Sequence, residues 1–194
     1  MYKIILASKS AVRKKILNKN NINTIVEPSN IDEEQIKKSL INENSTPQMI
    51  SKNLAELKAN KISSKKKNIL VLGADSIIDL SGEIISKPSD RKEAFKILKK
   101  LNGKTHSLIS SVCISINGSM IWNYTDKAQL TMKNMTNDEL KFYLGKINDE
   151  TLYAYNVYQI EGEGKNLFSK IEGSEDTIMG LPIKQLKEYL KKIK

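Results

Sequence analysis

Cysteine, histidine and arginine are scarce in this sequence of 194 residues, and each scarcity argues against a class of site. Cys113 is the only cysteine, so no internal disulfide can form, which is consistent with a reducing compartment. His106 is the only histidine, and no motif around it supports a Ser-His-Asp triad. The sequence also lacks a Cys/His metal cluster, a Walker A motif and a dinucleotide-binding fingerprint. Kinase-like and dehydrogenase chemistry are therefore disfavoured.

Positive charge is abundant, but arginine supplies almost none of it. The 32 cationic side chains exceed the 22 acidic ones and give a net charge of +10. Only Arg13 and Arg91 are arginines, whereas a dedicated nucleic-acid surface favours arginine forks and interleaved aromatic residues. The lysine excess fits a compositional bias better than a specific nucleic-acid interface, and the ligand is expected to be anionic.

Long apolar runs are missing as well, so the sequence predicts no membrane partner. The N-terminal residues begin a strand pattern at once, without the pattern of a signal peptide. Hydrophobic residues form 39% of the chain, which is enough for a packed core. We expect a cytoplasmic protein folded as a single domain over residues 1–194.

Two helices are indicated by their capping residues. Residues 2–7 have the pattern of a short buried strand, and Ser8-Lys-Ser10 supplies the N-cap of a helix over 11–19. Thr46-Pro47 opens a second helix, with proline in the first turn. The predicted buried stripe of this second helix is Ile50, Leu54 and Leu57.

Hairpin and capping patterns in the second half of the chain predict a mixed α/β fold. Asn117-Gly118 is a strong two-residue hairpin turn between two extended segments. Thr136-Asn-Asp-Glu139 is a capping box at the start of another helix. Hairpins beside crossover helices predict a mixed, twisted sheet with flanking helices rather than a purely parallel sheet.

Asp75 is the catalytic candidate because it lies inside the apolar run from Ile69 to Ile78. Aspartate is depleted in strands, and burying its charge without a partner is costly. Gly73 and Ala74 are expected to leave open space beside it, as an approaching ligand or metal would require. The alternative is a strand that ends at Gly73 and leaves Asp75 in an ordinary turn.

Four polar residues have the pattern of an anion site without proving one. Ser8 lies where a strand meets a helix N-terminus, where unpaired N–H groups and the helix dipole favour an anion. Arg13 is one turn further on and could reach a bound phosphate, or it could lie on a solvated face. Lys58 falls at the rim of the predicted stripe, where a lysine ordinarily reaches back to solvent. Lys87 precedes a proline that keeps the backbone extended, and its pattern alone does not distinguish it from the other lysines.

The segment Asp32-Glu33-Glu34 is acidic in an otherwise basic chain. The first turn of a helix would explain it, because carboxylates are favourable at the positive end of the helix dipole. Ligation of Mg²⁺ by such hard carboxylate oxygens stays open as a second interpretation.

Taken together, these residues resemble the Maf family of nucleoside triphosphate pyrophosphatases. The resemblance runs nearly end to end, and the order and spacing of its pieces make it specific. The pieces are Leu6-Ala-Ser-Lys-Ser10 with Arg13, Ile31-Asp-Glu33, Leu54-Ala-Glu-Leu-Lys-Ala59, Leu72-Gly-Ala-Asp75-Ser, Lys87-Pro88, Leu101-Asn-Gly-Lys-Thr-His106, Tyr158-Gln-Ile-Glu-Gly162, Ile171-Glu-Gly-Ser174 and Met179-Gly-Leu-Pro182.

The resemblance implies a Maf/ITPase-like fold with two lobes around a central cleft. It also implies an enzyme that hydrolyses a nucleoside triphosphate to the monophosphate and diphosphate, and its assembly as a homodimer stays open. By the same resemblance Asp75 is the general base that activates water. Glu33 and Asp75 are the expected ligands of a divalent cation, Mg²⁺ or Mn²⁺. The residues expected to bind the phosphates are Ser8, Arg13, Lys58 and Lys87.

Two positions depart from the usual family pattern. Ser10-Ala-Val-Arg13 stands where the family usually has Ser-Pro-Arg-Arg, so a proline is missing but the key arginine remains. Glu161 replaces the usual glutamine and resembles the branch that acts on 7-methyl-GTP. A carboxylate there could pair with the cationic methylated base or accept from a base amino group, so Glu161 is expected to bind substrate. Gly162 and Gly164 beside it would let a base approach the backbone.

Two other classes of function stay open. The net charge of +10 is compatible with a nucleic-acid-binding domain, which would show steep salt dependence and no turnover of free nucleotides. A regulatory interaction protein is the other, since the Maf family is also associated with arrest of septum formation in cell division. An Asp75→Asn variant that kept such a cellular effect would favour the regulatory interpretation.

Overall fold

The computed structural model describes residues 4–154 and 156–193, which form a twisted sheet with helices packed on it. The strands are β1 Ile4–Leu6, β2 Thr24–Val26, β3 Leu70–Leu80, β4 Glu83–Ile85, β5 Thr105–Ile116, β6 Ser119–Met132 and β7 Phe168–Glu172. The helices are α1 Ala11–Lys19, α2 Glu33–Asn42, α3 Pro47–Ser63, α4 Arg91–Leu101, α5 Asn137–Lys146, α6 Asp149–Ala154, α7 Glu175–Ile178 and α8 Ile183–Lys192, with a 3-10 helix at Glu163–Leu167.

The sheet is mixed, as the sequence predicts. Its order is β2-β1-β3-β5-β6-β7, and β4 pairs with β3 beside this path. Strand β1 is parallel to both β2 and β3, while β3, β5, β6 and β7 form successive antiparallel pairs. The long central strands β3 and β5 therefore connect the parallel half to the antiparallel half.

Local capping and turn chemistry forms these elements where it was predicted. The Ser10 hydroxyl accepts the backbone N–H of Arg13 at 3.3 Å and starts α1. Asn117 and Gly118 both have positive φ, 52° and 85°, as a two-residue turn between β5 and β6 requires. The capping box that opens α5 is also present.

Two hydrophobic clusters lie at opposite ends of the β3–β5 pair. One contains Ile78 and Leu108 and extends into α4 and α5. The other contains Leu72 and Ile114 and extends into α1 and α8. This arrangement agrees with the predicted two lobes.

Within the described ranges, no helix is both long and apolar enough to cross a bilayer.

Helix α3 lies directly against β3 at Gly73. A Cβ atom added to Gly73 would lie 2.0 Å from the carbonyl oxygen of Ala55 and 3.0 Å from the Cβ of Ala59. Only glycine permits so close an approach of helix to strand. The expectation that Gly73 leaves space for a ligand is therefore wrong, because α3 fills that space.

The predicted stripe of α3 is right at two positions and wrong at the third. Ile50 and Leu54 are fully buried, but Leu57 is 41% exposed. Lys58, four residues after Leu54, takes the inward position and is only 5% exposed. The alternative in which Lys58 reaches back to solvent is therefore wrong, and its burial requires a partner.

We predict that Gly73→Ala lowers the free energy of unfolding by about 1–3 kcal/mol or more, because the methyl group must displace α3. The matched control is Gly145→Ala in α5, where an added Cβ meets no atom within 4 Å. That change should not lower stability and should raise it by at most roughly 0.5–1 kcal/mol, since alanine suits a helical backbone better than glycine and Gly145 lies in the last turn of α5. Urea unfolding of both variants measures the difference. A Gly73→Ala protein as stable as the wild type would contradict the close packing.

Candidate active site

A cleft of about 770 Å³ opens beside the middle of β3. Its lining comes from segments far apart in the sequence, so the fold brings these residues together. All seven side chains proposed from the sequence line this cleft: Ser8, Arg13, Glu33, Lys58, Asp75, Lys87 and Glu161.

Asp75 and Lys58 form a buried ion pair at the contact between β3 and α3. Lys58 Nζ lies 2.8 Å from Asp75 Oδ1 and 2.9 Å from Glu33 Oε2, so it bridges two carboxylates. Asp75 is 4% exposed. Strand β3 continues past it to Leu80, so the alternative of a strand ending at Gly73 is wrong. We call Lys58, Asp75 and Glu33 the ion triad.

The second carboxylate oxygen of Asp75 has no partner within the described part of the chain. Oδ2 is buried and accepts no hydrogen bond there, although Oδ1 is held by Lys58. Buried polar atoms are nearly always paired in folded proteins. Oδ2 is therefore an acceptor that a ligand, a water molecule or a metal ion can use.

Arg13 is held by four hydrogen bonds from its guanidinium group. Nε donates to the carbonyl oxygen of Gly180 at 2.9 Å, and Nη2 donates to Ser76 Oγ at 3.0 Å. Nη1 donates both to Ser8 Oγ at 3.2 Å and to the carbonyl oxygen of Ala74 at 3.0 Å. Arginine has five N–H donors, so one remains for a ligand. The solvated position considered for Arg13 is excluded, and the side chain joins three segments of the cleft wall.

The turn at Gly180, whose carbonyl oxygen accepts a hydrogen bond from Arg13, is held by a second set of hydrogen bonds. Sequence patterns did not predict this second set. Gly180 has φ +88°, and a Cβ there would lie 2.8 Å from Ser76 Oγ. Ser76 and Ser110 hydroxyls pair at 2.9 Å, and Ser110 donates to the carbonyl oxygen of Thr177 at 2.7 Å. The only available signal was the glycine-proline punctuation around Gly180, since serine in a strand is otherwise unremarkable.

Cations outnumber the buried anions in this part of the cleft. The pKa values of two of these cations, Lys87 and Arg13, are lowered, chiefly as a result of burial. Burial lowers the pKa of Lys87, and the nearby charge of Arg13 lowers it further. Burial also lowers the pKa of Arg13, against the opposing attraction of Asp75 and Glu33. For Glu33, burial would raise the pKa, but the ion pair with Lys58 outweighs it and holds the pKa below its ordinary value.

Another part of the lining is more apolar and contains Tyr158, Ile160 and Ile178. The Tyr158 hydroxyl pairs with His106 Nε2 at 2.8 Å behind the surface of the cleft. Burial lowers the pKa of His106 to about 4, so the ring is neutral at physiological pH. This part of the cleft has the apolar, partly aromatic surface that suits a planar base.

Glu161 follows Ile160 directly in the chain, is exposed and also lines the cleft. The described residues offer its side chain no hydrogen bond or ion pair, so its carboxylate is available to a ligand. The expected approach of a base to the glycines is wrong. A Cβ on Gly164 would lie 2.6 Å from the backbone nitrogen and oxygen of Gln159, and Gly162 faces the side chain of Gln159 at 3.3 Å.

A divalent metal ion fits this site only if a bound phosphate compound supplies some of the oxygen atoms that coordinate it. The described ranges contain no group of three or more His, Cys, Asp or Glu side chains placed to hold a metal ion. The unpaired Oδ2 of Asp75 and the half-exposed carboxylate of Glu33 are two hard oxygen donors. Mg²⁺ is commonly bound by one or two carboxylates together with phosphate oxygens, which is the donor set available here.

The sequence of the chain places it in a known protein family. The sequence pattern of the Maf-like protein family matches residues 3–193, and the chain belongs to the Maf family.

Its relatives cover nearly the same length. A protein of Pelagibacter ubique (strain HTCC1062) named nucleoside triphosphate pyrophosphatase is 74% identical, over 98% of each chain. A protein of Bartonella quintana (strain Toulouse) named 7-methyl-GTP pyrophosphatase is 40% identical, over 93% of this chain and 90% of its own. Among solved structures, the Staphylococcus aureus Ham1 protein aligns with 99% of this chain and all of its own, at a TM-score of 0.47 and 16% identity.

Proposed function

We propose that this protein hydrolyses nucleoside triphosphates to the monophosphate and diphosphate. Membership of the Maf family and the name of the 74% identical relative support this. The observation that carries it is the unpaired Oδ2 of Asp75, buried at the edge of a cleft where several cations converge. A site that leaves a carboxylate oxygen unpaired beside excess positive charge suits a polyanion and a water molecule.

Charge neutralisation is the first requirement of this reaction. A triphosphate carries roughly four negative charges, so its hydrolysis depends on cations and oriented donors more than on covalent chemistry. Lys87, the Ser8 hydroxyl and the N-terminus of α1 are the groups we assign to the phosphates. Arg13 adds its charge and one N–H, while its other donors hold Ser8, Ser76 and the carbonyl oxygens of Ala74 and Gly180.

Asp75 is the proposed general base. Its Oδ2 would accept a proton from the attacking water, because Oδ1 is already held by Lys58. The ammonium group of Lys58 directs two of its three N–H groups to carboxylates. We therefore assign Lys58 chiefly to positioning Asp75 and Glu33, with one N–H left for a phosphate oxygen.

A divalent cation, Mg²⁺ or Mn²⁺, is proposed as the cofactor. Glu33 and Asp75 would hold it together with phosphate oxygens, and when bound it would supply positive charge against the reacting phosphates. A carboxylate oxygen has two lone pairs, so binding a metal and accepting from water are compatible. Full turnover after exhaustive chelation would contradict the metal assignment.

We predict that Asp75→Asn lowers kcat by about 10²-fold or more, because an amide oxygen cannot take the proton from water. The measurement is the yield of nucleoside monophosphate and pyrophosphate from a triphosphate. Asp79→Asn is the matched control on the same strand, because an amide oxygen there can still accept the N–H of Gly82. A wild-type protein that releases orthophosphate instead, or an Asp75→Asn variant near the wild-type rate, would contradict the proposal.

Glu161 is the proposed determinant of base preference. Ionised glutamate only accepts hydrogen bonds, so the site should favour a base edge rich in N–H groups, such as guanine or cytosine, over thymine. The positive charge of 7-methylguanine would add attraction in a partly dry cleft. The name of the 40% identical relative supports 7-methyl-GTP as a substrate to test first.

We predict that Glu161→Gln changes the ranking of kcat/KM among 7-methyl-GTP, CTP, UTP and dTTP. The wild type should prefer the first two, and the variant should lose that preference because glutamine both donates and accepts. Thymidine or uridine triphosphate leading in the wild type would contradict the assignment. So would a ranking that the substitution leaves unchanged.

We further propose that residues 1–194 act as one domain in the cytoplasm on free nucleotides. The single continuous sheet supports one domain.

Both arginines are engaged by the protein itself, since Arg91 binds Asp149 and the carbonyl oxygens of Leu144 and Ile147. This use of the two guanidinium groups argues against a specific nucleic-acid surface. Assembly as a homodimer stays open.

A further inference from the structure

Helix α2 carries one cation, Lys37, into the cleft besides its carboxylates Glu33 and Glu34. Lys37 follows Glu33 by four residues, so the two lie on the same face of α2 about one turn apart. Both line the cleft. The side chain of Lys37 is only 17% exposed, although lysine side chains are mostly solvated.

The ion pair that Lys37 makes on its own helix does not explain this position. Its Nζ lies 3.9 Å from Glu34 Oε1, and the Glu34 side chain is 65% exposed. Such a loose surface pair contributes little. Lys37 does lie within electrostatic reach of the phosphate-binding side, because it adds to the effects of burial and of Arg13 in lowering the pKa of Lys87.

The donors of Arg13 and Lys58 are largely committed to the protein. Arg13 uses four N–H groups on protein acceptors, and Lys58 uses two on carboxylates. A triphosphate therefore needs further donors in this cleft, and Lys37 is a cation there to which no role has been given. Without an anion, Lys37 and Lys87 repel each other, and a phosphate group between them would relieve that repulsion.

We propose that Lys37 binds the diphosphate portion of the substrate, which leaves as pyrophosphate, together with Lys87. This assignment rests on the proposed function for the identity of the leaving group. Asp75 marks the reacting phosphorus, and Lys37 lies one turn of α2, about 5.4 Å, further along from Glu33. The β- and γ-phosphates carry most of the negative charge of a triphosphate, so we assign this further cation to them and not to the phosphate of the monophosphate product.

The test is the binding of inorganic pyrophosphate, measured by isothermal titration calorimetry. Lys37→Met keeps the apolar stem and removes the charge, and it should weaken pyrophosphate binding about tenfold or more. Lys38→Met is the matched control, since Lys38 is the next residue of the same helix and is exposed. The affinity of Lys38→Met for pyrophosphate should stay within about twofold of the wild-type affinity. Lys37→Arg should restore most of the affinity, which a purely structural defect in α2 would not allow.

Binding of a nucleoside monophosphate by the same proteins locates the contact along the substrate. Lys37→Met should leave it unchanged and should lower kcat/KM for the triphosphate about as much as it weakens pyrophosphate. Equal loss of monophosphate and pyrophosphate binding would overturn the placement. Unchanged pyrophosphate binding in Lys37→Met, or none in the wild type, would overturn the role of Lys37 altogether. If the wild type binds pyrophosphate through Lys37 but splits no triphosphate, only the proposed function is wrong.

Discussion

The ion pair between Lys58 and Asp75 is the interaction on which the rest of the site depends. Two charges buried between a helix and a strand are tolerated only with close geometry and further partners. Gly73 permits the close geometry, because it lets α3 lie against β3. Glu33 supplies the further partner and brings the start of α2 to the cleft. The packing of α2, α3 and β3 is therefore linked through this one buried ion pair and its partner Glu33.

Arg13 joins a second group of segments, as Lys58 joins α2, α3 and β3. Its guanidinium group ties the segment after β1 to β3 and to the turn at Gly180, which precedes α8. The polar groups of the cleft are thus held by charged side chains that are themselves mostly satisfied. The substrate would meet a rigid frame with a few unpaired groups, chiefly Asp75 Oδ2, which is the arrangement that electrostatic catalysis requires.

Sequence patterns predicted much of this fold because its caps and turns are local. Ser10 and the Asn117-Gly118 turn act on neighbouring backbone groups, so their effects follow from short-range chemistry. The burial of Lys58 could not be predicted in the same way, because its partner Asp75 is distant in the sequence and on another element. The family resemblance named the side chains of the cleft, but not that Arg13 would use most of its donors on the protein.

The most direct measurement is a double-mutant cycle on the free energy of unfolding, from urea titrations of Lys58→Met, Asp75→Asn and the double variant at neutral pH. We predict that Lys58→Met loses about 3 kcal/mol or more, because it leaves a buried carboxylate unpaired. Adding Asp75→Asn to that variant should restore at least about 1 kcal/mol, since the unpaired charge is then removed. If the double variant instead loses as much unfolding free energy as the two single variants together, to within about 0.5 kcal/mol, the central place of this ion pair is contradicted.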